Sequence, residues 1–177
     1  MPNTTNGAPT SVPVPQATPQ PPLYDPAVKS VGDAELARRC FDMVVNEMHT
    51  TVVATVDDDG RPVTCVIDMM GFDDGGLYFT TNAGKSFYRR LVSRGELCLS
   101  ATNGKPTMEC VAVTIQGQVR EEPDPVLAGL LEANPYMYEL YPTPERRATL
   151  RAFKIFHGAG NMYDLSVKPP TQAYFEF

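Results

Sequence analysis

From residue 51 onward the apolar side chains recur at every second position, and several of the breaks between runs are only a few residues long. Residues 51–56 are followed by the turn Asp57-Asp58-Asp59-Gly60. Val63, Cys65, Ile67 and Met69 then alternate with Thr64, Val66 and Asp68, which predicts a β-hairpin. A second turn, Phe72-Asp73-Asp74-Gly75-Gly76, leads into Leu77-Tyr78-Phe79-Thr80-Thr81. Neighbouring parallel strands need a crossover of a dozen residues or more, and the loops at 57–61, 71–76 and 103–105 leave no room for one. The expectation is a closed or partly closed antiparallel barrel, mainly β, with short helices at its ends.

The helical pieces are legible from the other period. Ser30-Val31-Gly32-Asp33 has the form of a capping box, and Leu36, Cys40, Phe41, Val44, Val45 and Met48 follow at spacings of three and four, which predicts one amphipathic helix. Phe87 and Leu91 lie one turn apart on a short helix, and a strand is expected over 96–101. Asn103-Gly104 predicts a tight hairpin turn into a long strand. That strand carries Val111, Val113, Ile115 and Val119 on one face. Cys110, Ala112, Thr114, Gln116 and Gln118 form the other, a small and polar face suited to bordering a cavity. Residues 123–133 read as a helix, and 151–157 and 171–177 as late strands.

With 177 residues, 42% of them hydrophobic, the chain has enough apolar side chains for one core and too few for two ordinary domains. Eight of the 17 prolines fall within residues 1–26. Residues 1–29 are therefore expected to form a disordered or polyproline-like arm, and the domain to occupy 30–177. No basic, apolar secretory leader and no membrane-spanning run is visible, so the expected compartment is the cytoplasm. Cys40, Cys65, Cys98 and Cys110 are scattered singly, with no metal-ligand spacing. A net charge of −6 argues against nucleic-acid binding, which needs a basic field. Any anion must be held by a local patch.

One stretch has the chemistry for that. At Thr80-Thr81-Asn82-Ala83-Gly84-Lys85-Ser86 a strand ends in hydroxyls, the chain turns, and a helix begins beside an ammonium. The open N–H groups of a helix start, a lysine and several hydroxyls are what a phosphate dianion binds. Gly84-Lys85-Ser86 is not a nucleotide-triphosphate loop, because Phe79 stands where that motif needs its first glycine. His49 and His157 read as packing or surface residues. Tyr136, Tyr138 and Tyr141 read as an aromatic segment packed under a loop or roofing a pocket, and no nucleophile–base constellation is visible.

The runs TVVATVDDDGRPVTCVIDMM and GLYFTTNAGKSFYRRLVSRGELCLS, in this order and spacing, resemble the core of the pyridoxamine 5′-phosphate oxidase-like FMN-binding split-barrel family. The resemblance implies a six-stranded antiparallel Greek-key split β-barrel, with FMN held in grooves at a homodimer interface. It implies that Thr80 and Lys85 bind the phosphate with Thr81 and Ser86 beside them. It further implies that Thr64, Cys65, Val66 and Ile67 run along the ribityl chain and flavin ring, and that Gln116 and Gln118 approach the flavin from the interface. The chain has no tryptophan and no arginine-rich end, so the vitamin B6 oxidase itself is not expected. The implied activity is an FMN-dependent oxidoreductase acting on a small molecule, with NADH or NADPH as a candidate electron donor. The alternatives on the same barrel are a non-catalytic flavin or haem carrier or sensor, and a deazaflavin-dependent reductase.

Overall fold

The computed structural model describes residues 33–177. The expected arm over 1–29 and the capping residue Ser30 lie outside the described residues. Helix α1 (Asp33–Asp42) continues as a wider turn over Met43–Met48, and together they bury Ala37, Cys40, Phe41, Val44 and Met48, close to the periodic set read from the sequence. Strands β1 (Thr50–Val56), β2 (Pro62–Asp73) and β3 (Gly76–Asn82) form a meander. Helix α2 (Ser86–Arg94) then crosses to β4 (Glu96–Thr102), which pairs with β1 instead of β3. That return of a fourth strand to the first is the Greek-key step. β5 (Val111–Glu122) and β6 (Leu150–Asp164) follow, and β6 pairs with β3 to close a six-stranded antiparallel barrel. β7 (Thr171–Glu176) lies outside the barrel, paired with the far half of β6.

Alternation builds the core. Val53, Met69, Leu77, Phe79, Leu99, Val113, Ile115, Phe153 and Ile155 point inward and are fully or almost fully buried. Phe87 and Leu91 of α2 and Phe41 and Val44 of the first helix join the same cluster. A second cluster forms on the outer wall. There α3 (Asp124–Ala133) and α4 (Tyr136–Leu140) bury Leu130, Leu131 and Met137 against Met70, Leu150 and Ala152. Tyr136 and Tyr141 pack on this cluster, while Tyr138 is exposed. A last short helix, α5 (Pro144–Arg147), precedes β6. Among the described residues no helix is long and apolar enough to cross a membrane.

Two expectations are corrected. Asn103-Gly104 does not make a two-residue hairpin. Thr102 pairs with Ala112, and the chain between them is a longer loop with a short turn at Thr107–Glu109. The Asn103 carboxamide oxygen accepts from Lys105 N and Val111 N and so closes that wider loop itself. The strand expected at 151–157 begins at Leu150 and runs on to Asp164. Its glycines are sites of close approach and do not end it. A Cβ on Gly158 would lie 2.3 Å from Gln116 O, and one on Gly160 would lie 2.4 Å from the Phe175 ring. At this crossing His157, φ 46°, is the extra residue of a bulge opposite Gly117 and Gln118.

Candidate functional site

The barrel wall is not sealed between β2 and β3. Their ladder runs from Met69↔Phe79 to Asp73↔Gly76 and stops there. Before Met69, residues 64–67 of β2 pair only with β1, and beyond Phe79, residues 80–82 of β3 pair only with β6. The cause is local to the end of β3. Asn82 Nδ2 donates to Thr149 Oγ1 at 2.5 Å and Ala83 N to Thr149 O at 2.9 Å, so this end is fastened to the β6 side. The facing edges of 64–67 and 80–82 therefore present backbone donors and acceptors to the gap rather than to each other.

Helix α2 starts at that gap. The Asn82 carboxamide accepts from Gly84 N at 2.8 Å and turns the chain, and Lys85, in extended conformation, precedes the first helical residue without capping it by its side chain. The N–H groups of the first turn are thus left for another acceptor, with the positive end of the helix dipole behind them. From 85 to 94 the sequence carries Lys85, Arg89, Arg90 and Arg94 and no acid. Arg90 Nε donates to Thr55 Oγ1 at 2.8 Å, and Arg94 Nη2 donates to Asp57 O at 2.5 Å. Among the described residues Lys85 and Arg89 form no ion pair. The field reaches the opposite edge of the gap. Burial pushes the Cys65 thiol up, and the charges of Arg90 and Lys85 pull it back. In a chain of net charge −6 this is a local cationic patch.

The residues singled out from the sequence divide into two groups. Thr64, Cys65, Val66, Ile67, Thr80, Thr81, Lys85 and Ser86 surround the one gap. Thr64 and Val66 face outward, while Cys65 and Ile67 pack at the core. Thr80 Oγ1 lies 3.2 Å from Met70 Sδ, a weak acceptor, and the Thr81 hydroxyl is buried with no hydrogen-bond partner among the described residues. Lys85 and Ser86 are exposed. Gln116 and Gln118 are elsewhere. Gln116, on β5, stands in the cross-strand row Thr64–Ala54–Cys98–Gln116, away from the gap, and lines a separate cleft of about 630 Å³ with Glu96, Cys98 and His157. Sequence reading missed Arg90, whose only signal was its place on the helix that Lys85 opens. It also missed Asp68, which the fold sets against His49.

An uncapped helix start, a free ammonium, exposed and orphaned hydroxyls and an open strand edge form a donor set suited to a phosphate ester with a long polar tail. Residues 41–156 match the family model for pyridoxamine 5′-phosphate oxidase. No curated protein matches the chain. A NimC/NimA family protein from Clostridium acetobutylicum superposes with a TM-score of 0.68 at 16% identity, over 82% of this chain and 94% of that one. PhzG from Burkholderia lata, in complex with tetrahydrophenazine-1-carboxylic acid, superposes with a TM-score of 0.61 at 15% identity, over 90% and 97%. A haem-binding protein from Mycobacterium smegmatis superposes with a TM-score of 0.60 at 12% identity, over 82% and 59%. At these identities the superpositions show a shared fold.

Proposed function

This chain belongs to the pyridoxamine 5′-phosphate oxidase family, and from that premise we propose that it is an FMN-binding oxidoreductase acting on a small molecule. The observation that carries the reading is the parted β2–β3 wall, where the unpaired edges of 64–67 and 80–82 meet the uncapped, cationic start of α2. In this reading Lys85, Ser86 and the first-turn N–H groups hold the phosphate, with Thr80 beside them. The open edge of Thr64–Cys65–Val66–Ile67 orients the ribityl chain and ring. Bound there, the isoalloxazine supplies hydride or electron transfer, and the protein binds, orients and shields it.

The reading includes a homodimer. The wall formed by β2, β1, β4 and β5 exposes Val66 (65%) and Val52 (50%) beside Ala54, Cys98 and Ser100, an apolar and small-residue face. Two-fold pairing through it would bring the Gln116 and Gln118 stretch of one copy toward the gap of the other and cover both flavins. The four cysteines, all free, fit a reducing cytoplasm. Sedimentation tests the dimer: added FMN is expected to strengthen association, and a monomer that binds FMN tightly at one full site overturns it.

The rival reading is a carrier or sensor of flavin or haem, or a deazaflavin-dependent reductase, on the same barrel. It is prompted by the haem-binding protein that shares the fold. The absorption spectrum of the purified protein, followed by mass spectrometry of the released chromophore, separates the cofactors. Reduction by NADH or NADPH and reoxidation by an acceptor then separate enzyme from carrier.

A further inference from the structure

The carboxamide of Asn82 stands between the phosphate cradle and the loop ahead of β6, and its two ends face different partners. Oδ1 accepts from Gly84 N at 2.8 Å, and Nδ2 donates to Thr149 Oγ1 at 2.5 Å. By shape alone a carboxamide could stand either way round. Thr149 decides it. A threonine hydroxyl has one proton to donate, and that of Thr149 goes to Arg146 O at 2.7 Å, a carbonyl that can only accept. Toward Asn82 the hydroxyl is therefore an acceptor, so it draws the amide nitrogen to itself and turns Oδ1 to Gly84. The reverse order would set the amide nitrogen against Gly84 N–H, donor facing donor.

Both ends of this chain of bonds are fixed. Arg146 N donates to Thr143 Oγ1 at 3.3 Å at the start of α5, and Ala83 N donates to Thr149 O at 2.9 Å. On the cradle side, Lys85 N donates to Asn82 O at 3.0 Å and completes the turn that Gly84 N begins. A Cβ on Gly84 would lie 3.1 Å from Asn82 Oδ1, so side chain and turn are in close contact. Arg89 N donates to Lys85 O at 3.4 Å, the first bond of the α2 ladder, and the amides of Ser86, Phe87 and Tyr88 lie ahead of it on the turn that Asn82 shapes. Thr149 has no donor left for a ligand, because its N–H and its O–H both go to Arg146 O. Any influence it has on the cradle must pass through Asn82 and Ala83.

We propose that Thr149 is a positioning residue of the phosphate site, its hydroxyl acting through the Asn82 carboxamide to orient the 82–85 turn and the amides that follow it. The proposal rests on the flavin reading. Its test compares Thr149→Val, which keeps the shape and both backbone bonds, with Thr149→Ser, which keeps the hydroxyl. Thr149→Val is expected to weaken FMN binding about fivefold and to speed hydrogen exchange at the Gly84 amide by a similar factor. Thr149→Ser should restore both to within about twofold. Asn82→Ala should lower FMN affinity at least as far, and adding Thr149→Val to it should change nothing more, since the hydroxyl then has no amide to orient. Full FMN affinity or unchanged Gly84 exchange in a folded Thr149→Val protein overturns the role, as does failure of serine to restore them or a further loss in the double variant. Thr149→Ala repeats the comparison if valine disturbs the strand. An unsubstituted protein that binds no FMN overturns the flavin reading instead, and the Gly84 exchange then decides by itself whether Thr149 orients the turn.

Discussion

Two lysines flank β3 in opposite circumstances. Lys154 of β6 stands beside Tyr78, its side chain 9% exposed, with Nζ 2.8 and 2.7 Å from the two Asp73 oxygens and 4.9 Å from the Tyr78 ring centre. Asp73 also accepts from Tyr78 Oη at 2.7 Å and from Gly75 N at 2.8 Å. The turn above is pressed onto β6 so closely that a Cβ on Gly76, at φ 142°, would lie 1.8 Å from Ile155 O. Lys85, at the other end of β3, has no ion pair among the described residues and faces an uncapped helix start. A charge whose carboxylate partner is fully engaged holds the fold together. A charge left free beside open N–H groups offers binding energy to a ligand.

The contrast breaks most readily at the paired lysine. Asp73→Asn strands a buried ammonium, and because Asp73 itself is half-exposed the expected loss is about 2–3 kcal/mol, below the 3–5 of a fully buried pair. Chemical denaturation measures it, and a loss under about 0.5 kcal/mol would show that solvent replaces the pair. Lys85→Ala should do the opposite, weakening FMN binding at least ~tenfold with the melting temperature unchanged. A flavin titration showing full affinity would remove the phosphate site.

The pH dependence of stability sharpens the same comparison. Burial would raise the Asp73 carboxyl, but the hydrogen bonds from Lys154 and Tyr78 outweigh it and hold it below its usual range. Burial would lower the Lys154 ammonium, and Asp73 and Tyr78 outweigh that and raise it. The depressed acid contributes stability above its unfolded value of about 3.9, which is lost as pH falls through the lower folded value. The raised base contributes below about 10.4, which is lost as pH climbs through its folded value. Stability should therefore be flat between these limits as far as this pair is concerned. The acid limb should become shallower in Asp73→Asn, and an unchanged limb would assign it to other carboxylates. The smallest effect is expected at Arg90→Gln, which removes a charge from the gap while a donor can still reach Thr55. FMN affinity should fall only about threefold, and a loss as large as that of Lys85→Ala would make Arg90 a direct phosphate ligand.

Much of the barrel was legible because its information is short-range. Asp57 Oδ1 accepts from Asp59 N and Arg61 N and closes the first hairpin within five residues, and the period of two places Met69, Val113 and Ile115 on inward faces without knowledge of their partners. The phosphate-binding reading of Lys85 and Ser86 rests on equally local chemistry. Asn103-Gly104 misled for the converse reason: its turn propensity was real, but the Asn103 side chain closed a longer loop on Val111. The strand read over 151–157 runs on through Gly158 and Gly160, and only the nearness of Gln116, Phe175 and Phe177 shows why it needs glycines there.

The amino-acid sequence by itself determined the antiparallel class, the inward-facing residues and the cationic start of α2, since each depends on side-chain period or on groups within one turn of each other. The tertiary structure alone decided that β2 and β3 part, that Gln116 stands on β5 away from the gap that Lys85 borders, that β7 stays outside the barrel, and that Asp68 meets His49 and Tyr136. Where a ladder stops is settled by competing long-range bonds, such as the grip of Thr149 on Asn82 across 67 positions of chain, and no local pattern records which of those bonds wins.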